Sequence, residues 1–343
     1  MTDAASPIGH RARRFRARDA IVCTLVAALL LVLFGGSAIR EQGEEMDPGF
    51  TRSVVLAVGE PAGAIADALP FASAARDATA WLSPDDDLGD EGSFATAPVA
   101  AGGTAARDAV APVGPEAFDP RDLGAPPPAR GPLRTLLVTG DSMSMPLDAE
   151  LARRLAGAGV RTVRDPHIGT GISKDDLLDW GALSLKQTRD EQPDAVVVFI
   201  GANEGFPLPG ADGREVECCG PEWAALYATR VRRMMDTYRR DGAARVYWLK
   251  LPAPRDPDLA RIARAVNAAI EAAAAPYRAQ VRVVELDELF TPGWRFRNAM
   301  EVDGQETIVR EPDGIHLNDA GARLAADVVE ERLGADFALS ASG

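Results

Sequence analysis

Between positions 134 and 286, five short apolar runs alternate with stretches of helical periodicity, and this alternation constrains the fold more than any other feature of the chain. The runs cover 134–139, 160–163, 195–200, 245–251 and 281–286. The helical stretches cover 147–156, 175–190, 221–240, 257–274 and 318–333. Short continuous apolar runs read as strands buried on both faces, and strands joined through helices run parallel. The pattern therefore predicts an α/β domain with a five-stranded parallel, doubly wound sheet. Ser173 before Lys174-Asp175-Asp176, Pro221 in a first turn and Asn318 before Asp319 serve as helix starts. Residues 290–310 carry no clear period and read as an insertion, with a hairpin around Val302-Asp303-Gly304-Gln305.

In such sheets, ligands bind outside the carboxyl ends of the strands. Three groups of polar residues fall at those ends. Gly140-Asp141-Ser142 follows the first run, and Gly201-Ala202-Asn203-Glu204 follows the third. Asp313-Gly314-Ile315-His316 precedes the last helix. Taken alone, Gly-Asp-Ser reads equally well as a turn followed by a helix N-cap. The other two groups change its meaning. A serine hydroxyl is a poor nucleophile at neutral pH without a base, and His316 has the chemistry to be that base. Asp313, three residues earlier, is placed to hold the imidazole in the required tautomer. Asn203 offers a side-chain N–H to a developing oxyanion, with the backbone N–H of Ser142 and of a loop glycine completing the hole.

Composition closes off other classes. The chain has 37 basic and 51 acidic residues, a net charge of −14, which argues against nucleic acid as a partner. Three cysteines are too few for a disulfide scaffold or a Cys-type zinc site, and no metal site is expected.

The N-terminal third has a different character. Arg11, Arg13, Arg14, Arg16 and Arg18 mark residues 1–19 as a cytoplasmic basic tail. Residues 20–39 carry no charge and would extend about 30 Å as a helix, enough for one transmembrane anchor. A cleaved signal peptide, with Gly36-Ser37-Ala38 as its cleavage region, is the competing reading. The run exceeds the roughly 7–15 residues of a signal core, which favours the uncleaved anchor. Either way the rest of the chain is expected outside the cytoplasm, giving a single-pass protein of the cell membrane with its catalytic domain extracytoplasmic. Residues 40–130 are acidic and, from 83 onward, rich in Pro, Gly and Ala. They read as a flexible spacer, with short helices expected within 50–82. The expected catalytic domain spans 131–337, and 338–343 is a tail.

With these motifs in place, the chain resembles the SGNH/GDSL hydrolase superfamily. It is similar in more detail to a bacterial membrane-anchored branch catalogued as a domain of unknown function. The likeness covers about 131–335. It includes Gly140-Asp141-Ser142-Met143-Ser144, Gly201-Ala202-Asn203-Glu204 and Asp313-Gly314-Ile315-His316. It continues through Lys174-Asp175-Asp176, Asp179-Trp180, Gly220-Pro221-Glu222-Trp223 and Tyr227. The family's second block is a single glycine. Of Gly169 and Gly171 the choice falls on Gly171, because the family glycine is often followed at two residues by Ser or Thr. Met143 stands where leucine is usual and Glu204 where aspartate is usual. The resemblance implies a flavodoxin-like three-layer α/β/α sandwich and hydrolysis or transfer of an ester-linked acyl group, with no metal or organic cofactor. It implies Ser142, His316 and Asp313 as catalytic residues, and Ser142, Gly171 and Asn203 as the oxyanion hole.

The location adds an ester of the cell envelope, an O-acylated glycan or a lipid, as the expected partner. An O-acyltransferase using the same site and a non-catalytic anchored binding module are the alternatives. His167 and Trp223 are further candidates for substrate contact, against the simpler readings of a locally bonded loop histidine and a packed indole. Arg230, Arg232, Arg233, Arg239 and Arg240 read as a solvated helix face. Cys218-Cys219 reads as two free thiols. A bridge between these neighbours is the alternative, since Cys23 lies in the expected membrane span.

Overall fold

The computed structural model of the chain describes residues 88–96, 113–126 and 129–339. The expected basic tail, membrane span and Cys23 lie outside the described residues, as does the stretch 50–82. Among the described residues, no helix is long and apolar enough to cross a membrane.

Five strands form the central sheet: β1 (Thr135–Gly140), β2 (Arg161–Pro166), β3 (Ala195–Phe199), β4 (Arg245–Leu249) and β5 (Val281–Val284). Every neighbouring pair is parallel, in the order β2-β1-β3-β4-β5. The chain moves outward from β1 to β2, then crosses back to β3 and continues in the other direction. The order therefore reverses between β1 and β3, and the crevice outside their carboxyl ends is the position the fold offers to a ligand. Leu136, Leu137 and Val138 of β1 and Val196, Val197 and Phe199 of β3 are fully buried, as strands covered on both faces must be.

The helices are α1 (Leu147–Leu155), α2 (Trp180–Glu191), α3 (Pro221–Tyr238), α4 (Pro257–Ala274), the short α5 (Leu286–Phe290) and α6 (Asp319–Asp336). α1 packs on α6, while α2, α3 and α4 pack in a row. The expected hairpin is present as Ala299–Val302 paired with Gln305–Ile308, and Asp303-Gly304 forms its turn.

Two expectations are corrected. Helix α2 starts at Trp180, not near 175, because Ser173 is unavailable as its cap. The Ser173 hydroxyl donates to Glu204 Oε2 at 2.6 Å. Asp179 caps the helix instead, accepting from Gly181 N at 2.8 Å and Ala182 N at 3.0 Å.

The spacer also departs from a free tether. Phe94 N donates to Asp179 Oδ2 at 2.8 Å, and the Phe94 ring lies 4.9 Å from the Arg230 guanidinium. Asp119 pairs with Arg282 at 2.9 Å, Arg121 with Asp336, and Ala279 N donates to Glu116 O at 2.9 Å. A buried aromatic and opposite charges dock these two pieces on the α/β domain, a feature that Pro, Gly and Ala content hides.

Candidate active site

Ser142 opens a single 3-10 turn, Ser142–Ser144, directly beyond β1. Its neighbour Asp141 is fully buried and spends its carboxylate on joining two loops. Oδ1 accepts from Met143 N at 2.9 Å. Oδ2 accepts from Gly201 N at 2.9 Å, Ala202 N at 2.7 Å and, more weakly, Asn203 Nδ2 at 3.4 Å. Burial pushes the Asp141 carboxyl up to about 6. The N–H groups of Gly201, Met143 and Ala202 oppose the rise, and the charge of Glu204 adds to it.

Glu204 repeats the device one loop away. Its Oε1 accepts from Ile172 N at 2.7 Å, and its Oε2 accepts from Ser173 N at 2.8 Å. Burial raises this carboxyl too, against the hydrogen bonds from Ser173 and Ile172. The result fixes the loop after β2 against the loop after β3. At their junction a Cβ on Gly171 would stand 2.7 Å from Asn203 O and 3.2 Å from Glu204 Cδ. A side chain there would have to push the Asn203 backbone aside. Asn203 Nδ2 also donates to Thr170 O at 3.2 Å. Gly171 and Asn203 are thus brought together, and Asp141 ties Asn203 to the Ser142 turn.

The third group arrives from the far side. Arg310 and Leu317 form an antiparallel bridge, and Glu311 N donates to His316 O at 2.9 Å, closing residues 311–316 into a tight loop. Within it, Asp313 Oδ1 accepts from Ile315 N at 2.8 Å and His316 N at 3.1 Å, which fixes the carboxylate before the imidazole reaches it. Asp313 Oδ2 lies 2.6 Å from His316 Nδ1, and His316 Nε2 lies 2.7 Å from Ser142 Oγ. With Nδ1 protonated, Nε2 accepts the serine proton. Burial pushes the Asp313 carboxyl up, but the His316 imidazole and the two N–H groups outweigh it and hold it below its ordinary value. Asp313 is therefore ionised wherever His316 acts as a base.

Beneath this loop lies a residue that the sequence did not single out. Arg310 is 1% exposed. Its Nη2 donates to Ile315 O at 2.8 Å, Gly314 O at 3.2 Å and, at the limit, Ala253 O at 3.5 Å. Its guanidinium lies 5.4 Å from the centre of the Phe296 ring, and Arg255 lies 5.1 Å from the same ring while donating to Pro312 O at 3.1 Å. Burial pulls the Arg310 pKa down to about 10; Asp313 opposes the shift and Arg255 adds to it. The signal was absent from the sequence because Arg310 sits in the stretch without period. Asp141 and Glu204 were visible as motif members, but their bracing role was not.

Of the two candidates for substrate contact, Trp223 has no exposed surface. Trp223 is fully buried, stacked on Tyr227 at 4.9 Å, and its Nε1 donates to Phe206 O at 2.8 Å. No face of this indole is open to a sugar, so its role as a substrate contact is withdrawn. His167 Nε2 faces Asp165 Oδ1 at 3.1 Å, and its ring meets Trp180 edge-on at 5.6 Å. Both partners are local. Arg230 is likewise not a solvated side chain, since it donates to Ile172 O and Asp175 Oδ2, each at 2.8 Å. Cys218 and Cys219 are joined by a disulfide, which corrects the expectation of free thiols. The loop ahead of α3 accommodates the small ring that the expectation counted against. Among the described residues, no group of His, Cys, Asp and Glu is arranged to hold a metal ion.

Residues 135–332 match a family described as "Protein of unknown function (DUF459)". No curated protein matches the chain in sequence. Solved structures similar to it include a member of the lipolytic protein G-D-S-L family from Veillonella parvula DSM 2008. That pair is 15% identical, covers 58% of this chain and 97% of the other, and has a TM-score of 0.38. Phospholipase A1 from Streptomyces albidoflavus NA297 is also 15% identical, over 59% of this chain and 99% of its own, with a TM-score of 0.33. These two likenesses are too distant to say what the chain acts on.

Proposed function

We propose that this chain, which belongs to the DUF459 family, is an acyl-ester hydrolase of the GDSL type that works through Ser142. The observation that carries the reading is the pair of short contacts, Ser142 Oγ to His316 Nε2 at 2.7 Å and His316 Nδ1 to Asp313 Oδ2 at 2.6 Å. They join loops from the two ends of the domain at the point where the strand order reverses.

The steps follow from that geometry. His316 Nε2 takes the proton as Ser142 Oγ attacks the ester carbonyl, and the ionised Asp313 stabilises the imidazolium. The carbonyl oxygen becomes an oxyanion, received by the N–H groups of Ser142 and Gly171 and by Asn203 Nδ2. The weaker bond from Asn203 to Asp141 gives way to it, while Thr170 O keeps the amide oriented. Collapse of the adduct breaks the ester C–O bond, and His316 gives its proton to the leaving alcohol. Water, deprotonated by the same imidazole, then releases the acid.

The arginine-flanked uncharged run at 20–39 supports placing this site outside the cytoplasmic membrane, on a tether, where an O-acylated glycan or a lipid ester of the envelope is the substrate class. The test is hydrolysis of an aryl acetate by the full chain beside Ser142→Ala and His316→Ala. Turnover by the parent that falls by several orders of magnitude in both variants is expected. Equal turnover in all three would end the proposal.

A further inference from the structure

Beside Ser142 lies a cleft that the proton chain leaves unused. Met143, Ala202 and Ile315 border it on the side of the reacting residues, and Leu251, Leu259 and Ile262 on the other. Leu259 and Ile262 are three residues apart on α4 and so share a face. Glu204 also borders the cleft, but both its oxygens are committed to Ile172 and Ser173, and it turns no free polar group inward. Ile262 closes against the β3 loop: a Cβ on Gly205 would stand 2.8 Å from Ile262 Cδ1. Room for the centres of water-sized groups inside it amounts to about 20 Å³, enough for about one such group.

We propose that this cleft is the acyl site, that it takes a short, unsubstituted alkyl chain, and that Ile262 and Leu259 set the chain's length. The inference rests on the ester reading above. Met143 and Ile315 adjoin the nucleophile and the base, so a chain attached to the reacting carbonyl enters between them. When the Ser142 Oγ–acyl bond forms and the alcohol departs with the proton from His316, the chain stays in the cleft. With room for about one water-sized group, it seats the methyl of an acetyl group and little more.

The experiment is a series of p-nitrophenyl esters from acetyl to palmitoyl, given to the full chain, Ile262→Ala and Ile262→Trp. An alkyl phosphonate is added to each, and the label on Ser142 is read by mass. In the parent, kcat/KM is highest for acetyl and falls with each added methylene, because the cleft is already full. Ile262→Ala moves the optimum to longer chains, and Ile262→Trp lowers turnover of acetyl itself while labelling of Ser142 by a small phosphonate shows the nucleophile intact. A parent that labels at Ser142 but turns over palmitoyl as fast as acetyl overturns the acyl-site assignment and leaves the ester reading standing. So do two variants that keep the parent's profile. Absence of both label and turnover overturns the ester reading itself, and the acyl site with it.

Discussion

Replacing Arg310 with methionine separates the geometry of the 311–316 loop from the stability of the fold. Two terms of opposite sign nearly cancel. The substitution removes the charge-assisted bond to Ile315 O at 2.8 Å and the longer one to Gly314 O at 3.2 Å. Gly314 O keeps a second donor in Arg255 N at 3.0 Å, so the loss falls mainly on Ile315 O. A bond to a charged group contributes about 1.5–3 kcal/mol. Against this, burial holds the guanidinium near 10 instead of 12.5. At about 1.4 kcal/mol per pH unit, that is a cost of about 3 kcal/mol for keeping the charge, which methionine does not carry. Nε and Nη1 also lack hydrogen-bond partners in the buried site. The melting temperature of Arg310→Met should therefore stay within about 4 °C of the parent, which corresponds to about 1–2 kcal/mol in a domain of this size. Catalysis should not be spared. With Ile315 O released, His316 drifts from Ser142, and a misplacement of about 1 Å costs about 10²-fold in rate. The assay is kcat and KM on a short-chain aryl ester together with a thermal melt. Most of the loss should appear in kcat, and Arg310→Lys should recover part of it. A folded Arg310→Met with parental kcat would refute the reasoning, as would a large drop in melting temperature.

Other outcomes follow from the same contacts. Asn203→Ala should lower kcat by about 10²–10³ with little change in KM, the range for one oxyanion donor, and unchanged kcat would remove Asn203 from the hole. Gly171→Ala should also lower kcat, because its new methyl pushes Asn203 O back from 2.7 Å; steady-state kinetics with a melt as control decide it. Asp141 holds its proton more tightly folded than unfolded, with a value near 6 against an ordinary 3.8. This group is neutral in both states below about pH 3, and it subtracts stability as pH rises through its unfolded value toward about 6. Urea unfolding at pH 4 and pH 6.5 should show the parent losing about 2 kcal/mol more than Asp141→Asn over that window, and equal losses would mean that Asp141 titrates normally. A reporter fused after Gly131 should behave as an exported protein, and cytoplasmic reporter activity would reverse the proposed topology.

The sheet was legible because β1 and β3 are fully covered, and coverage on both faces forces the continuous apolar runs that a reader detects. Helix α4 was read to the residue because Asp256 and Pro257 mark its start chemically. Helix α2 was not, since Ser173 and Asp179 are equally good caps on paper and only the position of Glu204, 31 residues away, removes the first. The same blindness to distant partners explains the misreading of Arg230, whose acceptors lie on another loop, and of the docked pieces around Phe94 and Asp119. Ser142, Asn203 and His316 were visible as three motifs, and parallel topology brings their loops to one edge of the sheet. Arg310 and the carboxylate braces of Asp141 and Glu204 belong to packing, which leaves no periodic trace.

The most direct test of the account is covalent. A fluorophosphonate should add once per chain, at Ser142 by peptide mapping, at a rate that collapses in His316→Ala. Ser142→Ala should take no label. Labelling at another residue, or parental labelling of Ser142 in His316→Ala, would contradict the assignment of Ser142 as a nucleophile activated by His316.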